Sequence, residues 1–179
     1  MLDPLPTGLA GCFLIRQAPF EDARGSFSKT FHEPTFKAAG LHTDFPEEFV
    51  TLSHAKVLRG LHFQLPPHDH VKIVACFAGE ILDAVVDLRR SSPTFGKHFV
   101  TRLSPAVGAQ LYIPPGLAHG FYVTQGEAIV HYRTSTVHAP SHDAGISWRG
   151  CGVEWPDADP VISARDAAWP ALADFASPF

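Results

Sequence analysis

The sequence predicts an all-β fold: short strands closed into a sandwich or barrel, with a few short helices. Three observations point there. Sixteen prolines and fourteen glycines among 179 residues cut the chain into short pieces, which suits strands and turns better than long helices. Apolar runs rich in Val and Ile recur between turn residues in the middle of the chain, the mark of buried strands. Helix start and stop signals are few. The length predicts one domain over residues 1–179, large enough to bury a core without metal or disulfide staples.

Along the chain, the first eleven residues carry neither a basic stretch nor a long apolar one, so no signal peptide is expected. Residues 33–39 have Pro34 near their start and Gly40 after their end, which fits one or two helical turns. Residues 71–78 and 80–88 are apolar runs on either side of Gly79 and read as two strands of a hairpin or meander. Residues 98–103, 110–113, 120–124 and 128–134 read as further strands, with Pro114-Pro115-Gly116 as a turn among them. Ser163 is a candidate N-cap for a short helix cut at Pro170, because its hydroxyl can accept from a first-turn N–H. Asp83 and Asp87 alternate with apolar residues and read as structural.

Composition narrows the function. Charged residues are 18% and hydrophobic residues 45% of the chain, which argues against disorder. A formal charge of −4 leaves no basic footprint for nucleic acid, so phosphates would be met by local arginines. The charge-free run between Arg102 and Glu127 contains Pro105, Pro114, Pro115 and His119 and is no membrane helix. Cys12, Cys76 and Cys151 are odd in number and far apart. Reduced thiols and a cytoplasmic location are expected.

Eleven histidines are many for this length. Gly108, five residues, then Pro114-Pro115-Gly116-Leu117-Ala118-His119 fits G-x5-P-x-G-x2-H, the second motif of the cupin superfamily; Val123 stands where that motif usually has Asn. Upstream, Gly60, Pro66, His68, Lys72 and Gly79 keep the frame of the first motif. The chain therefore resembles a cupin, a double-stranded β-helix or jelly-roll barrel. Where a metal-binding cupin has His and Glu, this chain has Pro66 and Lys72. A protonated ammonium ligates no metal, so no metal and no cofactor are expected. The ammonium can instead stabilise a developing oxyanion.

Arg59-Gly60-Leu61-His62-Phe63-Gln64, the Asp87-Leu88-Arg89-Arg90 to Phe95-Gly96-Lys97 stretch, Tyr112-Ile113-Pro114 to His119-Gly120-Phe121, and His131-Tyr132-Arg133-Thr134 together resemble the dTDP-4-dehydrorhamnose 3,5-epimerase family. The resemblance runs from about Arg16 to Asp166. It implies a cofactor-free epimerase of a nucleotide-linked 4-keto-6-deoxyhexose. The ketone acidifies C3–H and C5–H; a base removes one proton, and an acid returns it on the opposite face. By this resemblance His62 is the base, Asp166 orients it, Lys72 stabilises the enolate, Tyr132 is the acid, and His119 shares the pocket. Arg24 and Arg59 match phosphate-binding arginines, and Phe27 belongs to the same Arg-Gly segment as Arg24. A homodimer is implied, with the N-terminal segment exchanged and a pyrophosphate site that draws on both subunits.

The chain also departs from the family pattern. Thr51 and Ser53 stand where pocket Gln and Asn are found, Val137-His138 replaces a Tyr-Tyr pair, and His70-Val71 precedes Lys72. Lys29 replaces a Glu that accepts from thymine N3–H; a lysine only donates. These changes leave open a mono-epimerase, or a CDP-linked substrate. From other classes, a metal-dependent cupin enzyme and a sugar-nucleotide 3,4-ketoisomerase share the fold.

Overall fold

The computed structural model describes all residues except 1, 3, 17 and 18. Its strands are β1 (Pro4–Pro6), β2 (Phe13–Arg16), β3 (Phe20–Asp22), β4 (Gly25–Phe27), β5 (Glu47–Ser53), β6 (Leu58–Gln64), β7 (Lys72–Asp87), β8 (His98–Leu103), β9 (Ala109–Ile113), β10 (Leu117–Thr134) and β11 (Asp143–Gly145). Two short helices, α1 (Glu33–Ala38) and α2 (Ala164–Ala167), accompany them. Pro34 opens α1 and Gly40, at positive φ, follows its end. The Ser163 hydroxyl caps α2 by accepting from the Asp166 N–H at 3.1 Å. The predicted all-β class holds, with the few helices where the capping signals put them.

β7 and β10 form the spine, and each is long enough to serve two layers. In one layer the first half of β7 pairs with β9, β9 with β2 and β2 with β1; the second half of β10 pairs with β5. In the other, the second half of β7 pairs with β8, and the first half of β10 pairs with β6, which pairs with β11. This is the double-sheet jelly roll, packed around a core that includes Val74, Val85, Leu111, Phe121, Val123 and Val130. The hairpin β3–β4 stands apart as a separate two-stranded sheet.

The two strands expected on either side of Gly79 are one. Gly79 lies inside β7 at φ +71, facing the irregular stretch of β10 between Gln125 and Ile129. A Cβ there would come within 2.1 Å of the Glu127 carbonyl oxygen. Residues 120–124 and 128–134 likewise belong to one strand, and His119, expected after a turn, lies within it. The irregularity shifts side-chain parity: Val74 and Cys76 point into the core before it, Ile81 and Val85 after it. In β10 the inward set passes from Leu117, Phe121 and Val123 to Ala128, Val130 and Tyr132. The register shifts between Val123 and Val130 do this, because side chains alternate with period two and an irregularity in the ladder exchanges the faces.

Candidate active site

One mouth of the barrel opens into a cleft of about 390 Å³. His62 and Arg59 reach it from β6, Lys72 from β7, His119 and Tyr132 from β10, and Thr51 from β5. Both layers thus contribute: His62 belongs to the sheet of β6 and β11, and Tyr132 to the half of β10 paired with β5. The parity change in β7 and β10 is what brings residues from all four half-strands to the same interior.

His62 Nε2 lies 2.8 Å from Asp166 Oδ1. Asp166 is itself fixed: its Oδ2 accepts from the Gly60 N–H at 3.1 Å, and its own N–H is held by Ser163. Burial pushes the Asp166 carboxyl up, but the bonds from His62, Gly60 and Arg165 outweigh it and hold it well below the usual carboxylate range. An ionised Asp166 accepts the Nε2–H of His62, leaving Nδ1 as the basic nitrogen. The edge of Trp169 flanks the ring, with centroids 6.5 Å apart.

A second His–carboxylate pair lies deeper. His119 Nε2 is 2.8 Å from Asp83 Oδ2, and both side chains are almost wholly buried. Burial pulls the His119 imidazole below its ordinary value against the pull of Asp83, so the ring favours neutrality. Burial also lowers the Lys72 ammonium to about 8, with Asp83 and Asp143 opposing. Tyr132 is only 6% exposed and stacks on Phe49 at 4.7 Å. Burial pushes its phenol far up, so it keeps its proton across the neutral range. The cleft therefore offers a dyad imidazole as proton acceptor, a phenol as donor and an ammonium from β7.

Not every sequence-predicted site residue is in this cleft. Thr51, Arg59 and His138 line it. Ser53 sits behind: it is buried, and its hydroxyl accepts from Arg59 Nε at 2.9 Å. Arg24, Phe27 and Lys29 are exposed on and after the β3–β4 hairpin and outside the cleft of their own chain. Arg24 is bonded only to Asp22, two residues before it, among the described residues. Conversely, Asp143, Arg165, Gln64 and His70 line the cleft without having been singled out for it. Asp83, read as structural, is the partner of His119. The signal for Asp83 was present: a carboxylate in an otherwise apolar buried strand needs a partner. Among the described residues, no group of three or more His, Cys, Asp or Glu is arranged to hold a metal ion.

A model of the dTDP-4-dehydrorhamnose 3,5-epimerase family matches residues 6–174. The chain belongs to that family. As a dTDP-4-dehydrorhamnose 3,5-epimerase family member, it is 37% identical over 168 residues to the enzyme of that name from Shigella flexneri, covering 92% of this chain and 93% of the relative. It is 38% identical over 173 residues to the one from Methanothermobacter thermautotrophicus, covering 94% and 93%. The Bacillus anthracis dTDP-4-dehydrorhamnose 3,5-epimerase, solved with TDP and PPi bound, superposes with a TM-score of 0.92 at 31% identity, covering 96% of this chain and 99% of that one. ChmJ from Streptomyces bikiniensis, a 3'-monoepimerase solved with dTDP-quinovose, matches with a TM-score of 0.88 at 30% identity, covering 95% and 87%. The jelly-roll barrel of this family member is thus that of solved sugar-nucleotide epimerases.

Proposed function

We propose that the protein epimerises a nucleotide-linked 4-keto-6-deoxyhexose without a cofactor. His62 Nδ1 takes a proton from a carbon beside the C4 ketone, and the electron pair moves to the ketone oxygen as an enolate. Lys72 stabilises that oxygen. The Tyr132 hydroxyl returns a proton to the carbon from the other face, inverting it. The observation that carries this reading is the His62–Asp166 pair at 2.8 Å in the same cleft as a buried Tyr132 and Lys72. General acid–base catalysis of this kind contributes roughly 10²–10⁴-fold, and a fixed cation at the enolate oxygen adds to it.

Arg59, held by Ser53, is suited to a diphosphate oxygen. Arg24, Phe27 and Lys29 reach the nucleotide from the partner of a homodimer, because they lie away from the cleft of their own chain. Incubation of the enzyme with a dTDP-linked 4-keto-6-deoxyhexose in heavy water tests the reading. Deuterium is expected at both C3 and C5, collapsing in His62→Ala and Tyr132→Phe; exchange at the wild-type rate in His62→Ala sinks it. Deuterium at one carbon alone identifies a mono-epimerase. A CDP-linked substrate is the second reading, motivated by Lys29, and a clear preference for dTDP over a matched CDP sugar refutes it.

A further inference from the structure

His62 Nε2 has two close neighbours competing for it. Asp166 Oδ1 is at 2.8 Å and Arg165 Nη2 at 3.0 Å. One ring nitrogen cannot donate to the carboxylate and accept from the guanidinium at the same time. The same guanidinium donates from Nε to Asp166 Oδ1 at 3.1 Å and from Nη1 to Asp143 Oδ2 at 2.6 Å. Asp143 is in β11, two residues before Gly145, which pairs with His62. Arg165 thus spans α2 and β11 and holds its third nitrogen against the imidazole.

We propose that Arg165, steered by Asp143, is the positioning residue that sets how readily His62 takes up a proton. Its charge disfavours the imidazolium, and its bond to Asp166 weakens the carboxylate as a partner for Nε2; both effects have the same sign. Asp143 anchors the fork, so that it does not capture Nε2 and leave the proton on Nδ1, where the base must be bare. The other charged or titratable groups around His62 are Asp166 on α2, His119 on β10, Lys72 on β7 and Arg59 on β6. Asp166 and Asp143 favour protonation, and the cations Lys72 and Arg59 oppose it. Arg165 is the cation closest to the ring nitrogen, and its side chain is 53% exposed, so replacing it leaves the core intact.

The role in catalysis rests on the epimerase reading, but the proton affinity of His62 does not. The test is therefore paired. An NMR titration of the His62 ring in ligand-free Arg165→Gln is expected to move up by roughly 0.5–1 pH unit, the scale of a nearby charge partly screened by solvent. The acid limb of kcat/KM is expected to follow by the same amount, since that limb reports the base of the free enzyme. Arg165→Lys restores the charge and returns the titration towards the wild-type position. Asp143→Asn frees the fork, removes a nearby carboxylate, and moves it down. An unchanged His62 titration in Arg165→Gln overturns the proposal. A shifted titration in a protein that exchanges no 4-keto sugar leaves the proposal standing and overturns the function instead.

Discussion

Lys72 carries the most consequential charge in the cleft, because burial brings its ammonium to about 8 instead of the ordinary value above 10. The sign is set by what the reaction needs. Below pH 8 the side chain is cationic and opposes the enolate charge; above it, the proton is lost and so is the stabilisation. The kcat profile is expected to fall on its alkaline side near pH 8. Lys72→Arg, charged at every accessible pH, is expected to lose that limb, whereas Lys72→Met is expected to lower kcat by roughly 10²–10³-fold below pH 8, with the gap to wild type narrowing above it. A wild-type profile flat to pH 10 removes Lys72 from the mechanism. Lys72 was legible in the sequence because it occupies a position where the cupin frame puts a metal ligand. His62, Tyr132 and Asp166 were legible from the family pattern. Arg165 and Asp143 were not, since their relation to His62 depends on α2 folding back onto β11, a contact between segments about twenty residues apart with no shared motif.

The elements show a different limit. Hydrophobic patterning located the strands of the barrel's middle, but it broke the two longest ones in half. A glycine between apolar runs is the ordinary sign of a turn; here it fills a bulge, and nothing local distinguishes the two. Only the partner strand does, since Gly79 is needed where the Glu127 carbonyl of β10 presses on β7. The consequence is functional as well as architectural. With the bulge, Lys72 and Tyr132 share the interior with Asp83 and His119. Gly79→Ala adds a methyl group against backbone at a positive φ, and is expected to cost about 2–3 kcal/mol in a urea denaturation curve. If the strand relieves the strain by slipping, kcat drops further than stability does. A variant with unchanged midpoint and unchanged kcat shows that the bulge tolerates a side chain.

At the scale of the whole molecule, one chain leaves surface that water covers poorly. Val50 and Leu52 of β5, Ile129 of β10 and Phe77 of β7 are 61%, 57%, 38% and 45% exposed; the pairs Ile129↔Leu52 and His131↔Val50, with Phe77 stacked on the His131 ring, put them on one face. Phe20 and Phe27 stand out from the β3–β4 hairpin at 66% and 64%. We propose this face as the interface of the homodimer, since contiguous exposed apolar surface is the kind that association covers. A dimer that buries it and delivers Arg24 to the opposite cleft accounts for both the exposed face and the distance of Arg24 from its own His62. Subunit mixing decides this more sharply than a mass measurement. His62→Ala and Arg24→Ala proteins are each expected to be nearly inactive. In a hybrid dimer, one site receives its intact His62 from the Arg24→Ala chain and its intact Arg24 from the His62→Ala chain, while the other site lacks both. An equal mixture allowed to exchange gives about half hybrids, each with one working site, so activity is expected to return to about one quarter of wild type. If each cleft were served by its own hairpin, every hybrid site would carry one defect, and mixing would restore nothing.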